Sequence, residues 1–275
     1  MLNFNGKILS ETNFSLDFKN RGFTYGDSIF DTSKIVNNEV QFLEDHYFRL
    51  MASMRMLRME IPMEFNLSFF EEEIKKTFDT SNLENNARVK FTVFRNSGGF
   101  YTPKTNTISY LIEVSELSIL NKENYTIDLF KDYYTNSDLL STIKTNNRII
   151  NVVSSIYAKE NNLDNCILIN QNKQIVEAIN ANIFLIFGNR IITPPITDGC
   201  IKGIARKKVM ESIEKAGEFI LEEKSVSPFD LQKADSVFLT NSIIDIQTVT
   251  NYRKKEYNSY LVDMVKSSFN QVYNI

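Results

Sequence analysis

Three observations predict an α+β chain of two domains. Short β-rich runs are interspersed with amphipathic helical segments, without a regular strand–helix repeat. The length of 275 residues suits one large domain or two moderate ones. A polar stretch from Glu116 to Asn124 interrupts the pattern near the middle and is the expected linker. Residues 1–118 are then the first domain and 119–275 the second, with a site expected between them.

In the first half, Lys7-Ile8-Leu9 follows Asn5-Gly6, a hairpin turn signal. Asp27 to Val36 reads as a strand, and Asn37-Asn38 as a tight turn into Val40-Gln41-Phe42. Tyr47, Leu50, Met51, Met54 and Leu57 recur at helical spacing, which predicts a helix over Glu44 to Met59, ended by Pro62. A second helix is expected over Phe65 to Phe78. Arg88 to Phe94 and Thr107 to Val114 are β-rich and flank the turn Asn96-Ser97-Gly98-Gly99. Past the linker, Tyr125 to Phe130 reads as a strand and Arg148 to Glu160 as a helix. Strands follow at Asn165 to Ile169, Gln174 to Ala178 and Ile183 to Phe187. A helix runs from near Gly203 to Ala216; strands at Phe219 to Glu222 and Ser236 to Leu239, then a helix from Tyr257 to Val272, complete the chain. No internal repeat or low-complexity tract is evident.

Composition narrows the function classes. Hydrophobic residues are 43% and charged residues 24%, as in an ordinary globular protein. A net charge of −3 leaves no basic footprint for nucleic acid, although a small anion can bind where a few cations converge. No apolar run reaches the length of a membrane span, and Met1 to Gly6 lacks the regions of a secretory signal. Cys166 and Cys200 stand far apart with neither metal nor redox spacing, so a reducing cytoplasm is expected. The single histidine, His46, excludes a multi-histidine metal site within one chain, and no metal is expected. It lies three residues before Arg49 and is expected to pack or hydrogen-bond near a helix start. No nucleophile-elbow pattern accompanies it.

The residues that carry chemistry begin with Lys144, the one lysine in Leu140-Ser141-Thr142-Ile143-Lys144-Thr145-Asn146-Asn147-Arg148. It is placed past a serine-rich strand end and before a helix start, where partial desolvation would let it shed its proton. Glu177 is expected on a strand beside the one that carries the lysine. A Schiff-base amine and a carboxylate that holds a pyridinium proton are what pyridoxal phosphate needs from a protein. The run Thr197 to Arg206 is a glycine-bearing turn opening a helix, so the backbone amides of Ile204 and Ala205 form a candidate anion site. Asn241 and Ser242 follow a strand and are a second donor set. Arg49 would add the positive charge, in a forked geometry suited to phosphate. Each has a plainer reading: a solvated loop lysine, a solvent-facing edge-strand glutamate, an ordinary loop-to-helix junction, a surface arginine.

Taken together, these residues resemble the class IV aminotransferase family, the fold-type IV pyridoxal-phosphate enzymes. Arg21-Gly22-Phe23-Thr24-Tyr25-Gly26-Asp27-Ser28-Ile29-Phe30-Asp31-Thr32 is similar to the family's N-terminal signature, and His46-Tyr47-Phe48-Arg49-Leu50 to its phosphate-arginine helix. Lys144, the run from Glu177 to Phe184, and Gly203-Ile204-Ala205-Arg206 follow in the family's order. The resemblance implies a small N-terminal α/β domain, a larger C-terminal pseudo-barrel domain that binds cofactor, and a homodimer. It implies Lys144 as Schiff base and proton shuttle, and Glu177 at the pyridine nitrogen. Phosphate contacts would come from Arg49, Ile204, Ala205, Asn241 and Ser242.

Alternate residues of a strand share a face, so Phe30, Thr32 and Lys34 point one way and are candidate substrate contacts, with Lys90. Branched-chain aminotransferases usually show Glu-Gly-x-Arg where this chain has Asp31-Thr32-Ser33-Lys34, and a tyrosine where it has Ile149. Aminodeoxychorismate lyases are similar at Thr32, at Asn147-Arg148 and at Lys90. Phe100 stands where lyases and D-amino acid aminotransferases often carry arginine, Ala205 where many relatives have threonine, and Gln247-Thr248 where a Thr-Pro pair is usual. The expected activity is therefore a lyase releasing 4-aminobenzoate and pyruvate from a small carboxylate substrate, a step toward folate. An amino-acid aminotransferase is the alternative, and a non-catalytic scaffold of the same fold the third reading.

Overall fold

The computed structural model describes residues 1–119 and 122–273. They fall into two units, Met1–Ile119 with Ile143–Asn147, and Leu120–Thr142 with Arg148–Ile275. Residues 120 and 121 of the expected linker lie outside the described residues.

The first unit is built from β1 (Leu2–Phe4), β2 (Lys7–Leu9), α1 (Arg21–Tyr25), β3 (Ser28–Val36), β4 (Glu39–Val40), α2 (Leu43–Met56), α3 (Leu67–Asp79), β5 (Ala87–Arg95) and β6 (Ile108–Ser115). Its strands form one sheet in the order β2-β1-β6-β5-β3-β4, with every neighbouring pair antiparallel. Asn37 and Asn38 take φ of 52° and 66°, left-handed values that asparagine tolerates, and turn β3 into β4. Side chains alternate across the sheet. Ile29, Ile35, Val89, Phe91, Val93, Ile112 and Val114 join Leu50, Met54, Phe70 and Ile74 of α2 and α3 in one core. The other face of the sheet therefore carries Phe30, Thr32 and Lys34, opposite Thr92, Lys90 and Arg88 respectively.

One expected boundary is corrected. Helix α2 ends at Met56 rather than running on toward Pro62. Arg58 is left-handed (φ 55°), Met59 N–H donates to Met54 O and Arg58 N–H to Arg55 O, which is a Schellman stop. Arg95 then donates to the carbonyls of Leu57 at 2.6 Å and Arg58 at 3.3 Å. The usual signal for such a stop is glycine; an arginine in that position left none.

The second unit contains β7 (Thr126–Leu129), α4 (Ile149–Glu160), β8 (Asn165–Ile169), β9 (Ile175–Ala178), β10 (Asn182–Phe187), β11 (Arg190–Thr193), α5 (Ile204–Ala216), β12 (Ile220–Glu223), α6 (Asp230–Lys233), β13 (Ser236–Asn241), β14 (Asp245–Val249), β15 (Asn251–Tyr252), β16 (Lys255–Glu256) and α7 (Tyr260–Tyr273). Two five-stranded sheets result, β12-β11-β10-β13-β14 and β16-β15-β7-β8-β9. Ile183, Leu185, Val237 and Leu239 share a core with Ile127, Leu129, Ile167 and Ile175, so apolar residues of both sheets meet. The opposite face of β10 and β13 carries Phe184 and Phe238, stacked with centroids 4.7 Å apart. The C-terminal helix starts three residues later than expected. Tyr257 is buried instead, and its hydroxyl donates to Leu231 O at 2.6 Å.

Candidate active site

Lys144 lies before a helix, as expected, but no strand leads into it. A short 3-10 turn, Leu140–Thr142, precedes it, and the segment Ile143–Asn147 belongs to the first unit although it lies in the second half of the sequence. The physical reason is an open edge. β4 pairs only with Ile35 and Val36, which leaves the start of β3 unpaired on that side. Phe30 N–H donates to Lys144 O at 2.8 Å and Asn146 N–H to Ser28 O at 3.0 Å, so the segment fills that edge. Asn147 Nδ2 donates to Gly26 O at 3.1 Å. Gly26 is favoured there by its φ of 62°, and a Cβ would displace the Asn147 side chain, whose Oδ1 would lie 2.3 Å away. Lys144 is half-buried, its Nζ 4.7 Å from the centroid of the Phe30 ring. Phe30 thus holds the lysine by backbone and by ring face.

Arg49 lies on α2 and meets Asp31 of β3. Its Nε is 2.8 Å and its Nη2 2.7 Å from Asp31 Oδ2. His46, on the same helix face, places Nδ1 2.5 Å from Asp31 Oδ1. Burial alone would raise the Asp31 carboxyl; the Arg49 guanidinium, with His46, outweighs burial and holds it well below the usual carboxylate range. A carboxylate only accepts, so His46 Nδ1 carries the proton. His46 has the hydrogen-bonding role expected of it, and its partner is Asp31 of the N-terminal signature.

In the second unit Glu177 is buried on β9, not solvent-facing, and its Oε2 accepts the backbone N–H of Ile201 at 2.9 Å. Ile201 O accepts from Asn182 Nδ2 at 2.9 Å. A Cβ on Gly203 would stand 2.1 Å from Asn182 Oδ1, so only glycine lets the chain pass this close. Glu177, Ile201, Asn182 and the Gly203 cap of α5 therefore form one connected group, and the amides of Ile204 and Ala205 open the helix beside it. Asn182 and Ile201 were missed from sequence. The first could have been suspected as a polar residue in an otherwise apolar strand; a backbone donor such as Ile201 leaves no residue-type signal. Burial pushes the Arg148 guanidinium down, and the field of Glu177 offsets only part of that. Thr240, opposite Asn182, is buried and its Oγ1 has no hydrogen-bond partner among the described residues. Asn241 ends β13 rather than following it. Its Oδ1 accepts from the N–H groups of Ile243 and Ile244, each at 3.0 Å, and Ser242 is half-buried in that turn.

The outer face of the first sheet carries the candidate substrate contacts. Phe30 is half-buried, while Thr32 and Lys34 are buried. Lys90 lies opposite Thr32 and forms an ion pair with Glu113 at 2.9 Å. Lys34, Arg88 and Lys90 share this face with Glu113 and Glu39. Phe100 is exposed; its carbonyl accepts from Arg21 Nη1 at 2.7 Å.

Comparison with known proteins places the chain. Residues 28–252 match the amino-transferase class IV family, and the chain belongs to that family. A D-alanine aminotransferase of Bacillus licheniformis is 27% identical, over 90% of this chain and 87% of its own. The 4-amino-4-deoxychorismate lyase of Pseudomonas aeruginosa shares the fold with a TM-score of 0.86 at 20% identity, covering 98% of both chains. An aminotransferase of Brucella abortus, solved bound to PLP, has a TM-score of 0.87 at 15% identity, over 100% of this chain and 99% of its own. Among the described residues no helix is long and apolar enough to cross a membrane.

Proposed function

We propose that this chain is a pyridoxal-phosphate enzyme acting as a 4-amino-4-deoxychorismate lyase. The residues fit the cofactor. Gly203 caps α5 without a side chain beside the amides of Ile204 and Ala205, and Thr240 offers a buried hydroxyl with no hydrogen-bond partner among the described residues. The amides of Ile204 and Ala205, with Asn241 and Ser242, would hold the phosphate, and Arg49 would supply its counter-charge. Glu177 would keep the pyridine nitrogen protonated, with Ile201 N–H fixing the carboxylate. When bound, the protonated ring supplies an electron sink for the pair left at Cα after proton loss. Lys144 Nζ would carry that proton, and Phe30 sets where the amine stands.

The observation that carries the lyase reading is the outer face of the first sheet. Aminodeoxychorismate bears two carboxylates, and Lys34, Arg88 and Lys90 stand there beside Glu113 and Glu39, with Thr32 between them to donate a hydrogen bond. The second reading is an aminotransferase for D-amino acids or branched-chain amino acids. The Lys90–Glu113 pair favours it, because a lysine already neutralised is a weaker carboxylate clamp. Incubation with an amino donor and 2-oxoglutarate separates the two: the lyase gives slow or no glutamate but releases 4-aminobenzoate from aminodeoxychorismate, and rapid glutamate formation contradicts it. We also read the protein as a cytoplasmic homodimer. Ile149, Val152 and Ile156 form an exposed apolar row on α4 that a second copy would cover.

A further inference from the structure

The Asp31–Arg49–His46 cluster does more than join α2 to the sheet. A guanidinium has a side edge, made by Nε and Nη2, and an end edge, made by Nη1 and Nη2. Asp31 Oδ2 takes the side edge of Arg49, at 2.8 Å and 2.7 Å. That contact sets the rotation of the planar group, and with it the direction in which the end edge can meet an anion. Asp31 is itself held. Its backbone is paired to Phe91 inside the sheet, and its second oxygen is bound by His46 at 2.5 Å. Asp31 and His46 are 3% and 1% exposed, so water scarcely competes for either.

We propose that Asp31 is a positioning residue that aims Arg49 at the cofactor's phosphate; this rests on the reading of Arg49 as a phosphate ligand. Orientation and charge act in opposite directions here. Removing the carboxylate frees the guanidinium to rotate, which weakens phosphate binding. It also leaves Arg49 with more net positive charge toward an anion, which would strengthen it. The proposal holds that orientation wins.

The test uses the full chain stripped of cofactor and titrated with pyridoxal 5'-phosphate and, separately, with pyridoxal, which lacks the phosphate. Asp31→Asn is expected to weaken binding of the phosphorylated form by about tenfold, the loss of roughly one charge-assisted contact, with pyridoxal binding unchanged. In an Arg49→Ala background the same substitution should add nothing, because its route is gone. Equal weakening of both ligands, no change, or tighter phosphate binding would each overturn the proposal. Arg49→Ala alone guards the premise. If it leaves pyridoxal 5'-phosphate binding intact, the reading of Arg49 fails; if it weakens binding but Asp31→Asn does not, only the positioning role fails. Should Asp31→Asn not fold, His46→Leu carries the test, since it removes one donor from the carboxylate and leaves the Arg49 contact standing. It should show the same phosphate-selective loss to a smaller extent, and a loss shared equally by pyridoxal contradicts the proposal.

Discussion

The two units hold their candidate site groups by different means. In the first, side chain holds side chain: Asp31 with Arg49 and His46, Asp27 with Arg21 and Arg95, Lys90 with Glu113. In the second, the candidate acid is held by backbone, through Ile201 N–H on Glu177, and the candidate anion cradle is backbone again, at the start of α5. Ion pairs can be broken by changing one residue type. A backbone donor survives any substitution that keeps the chain path, and fails when that path moves. The same contrast governs how each unit should respond to mutation.

The largest effect should come from the amine itself. Lys144→Ala is expected to lower turnover by about 10²–10⁴-fold, the range for loss of a positioned proton carrier, with cofactor still bound through its phosphate. Steady-state kinetics and cofactor absorbance check both parts; a variant of ordinary activity would break the assignment of the lysine. Glu177→Gln sharpens the contrast, because the amide oxygen can still accept from Ile201 N–H while the negative charge is lost. It should cost activity about tenfold or more, in line with a charged hydrogen bond of roughly 1.5–3 kcal/mol, and leave the melting temperature nearly unchanged. Loss of folding instead would make Glu177 a structural acid.

Moving the chain path is the next test. Gly203→Ala puts a Cβ 2.1 Å from Asn182 Oδ1 and should cost about 1–3 kcal/mol in thermal unfolding as the turn shifts. Adding Asn182→Ala should recover part of that loss by making room, and a double variant no better than the single would show that the close approach does not matter. The acid limb of stability probes the first unit. Asp31 has a folded pKa below its unfolded value, so its stabilisation is present above about pH 4, the unfolded range, and is lost as pH falls toward the folded value. Asp31→Asn should flatten stability against pH below about pH 4; a limb as steep as the parent's would show that another carboxylate dominates. The smallest effect concerns the thiols. Burial pushes Cys166 and Cys200 each up to about 12, so neither should react with a thiol reagent at about pH 8 until the chain unfolds.

Much of the fold was legible where the local pattern was clean. Ala87–Arg95 repeats with period two, and Asn165–Ile169 reads as one apolar run. What escaped was set by distant partners. The end of α2 depends on Arg58 in a left-handed turn and on Arg95 from another strand, with no glycine to mark it. β11 and β14 are four- and five-residue strands whose pairing to β10 and β13 confers their identity, and buried Gln247 and Thr248 hide the second. The attachment of Lys144 to the edge of β3 joins residues more than a hundred positions apart, so nothing in its neighbourhood announced it. Among the candidate site residues, side chains with distinctive chemistry could be picked out singly. Their supports could not: Asp31 points to the helix face between two residues of the other face, and Ile201 contributes only an amide.

Lys144 is the amine expected to bond the cofactor's aldehyde. Borohydride reduction of the pyridoxal-phosphate-loaded chain, followed by peptide mapping, tests this most directly. The label should fall on the peptide carrying Lys144 and on no other. Labelling of a different lysine, or a preparation that takes up no cofactor at all, would contradict it.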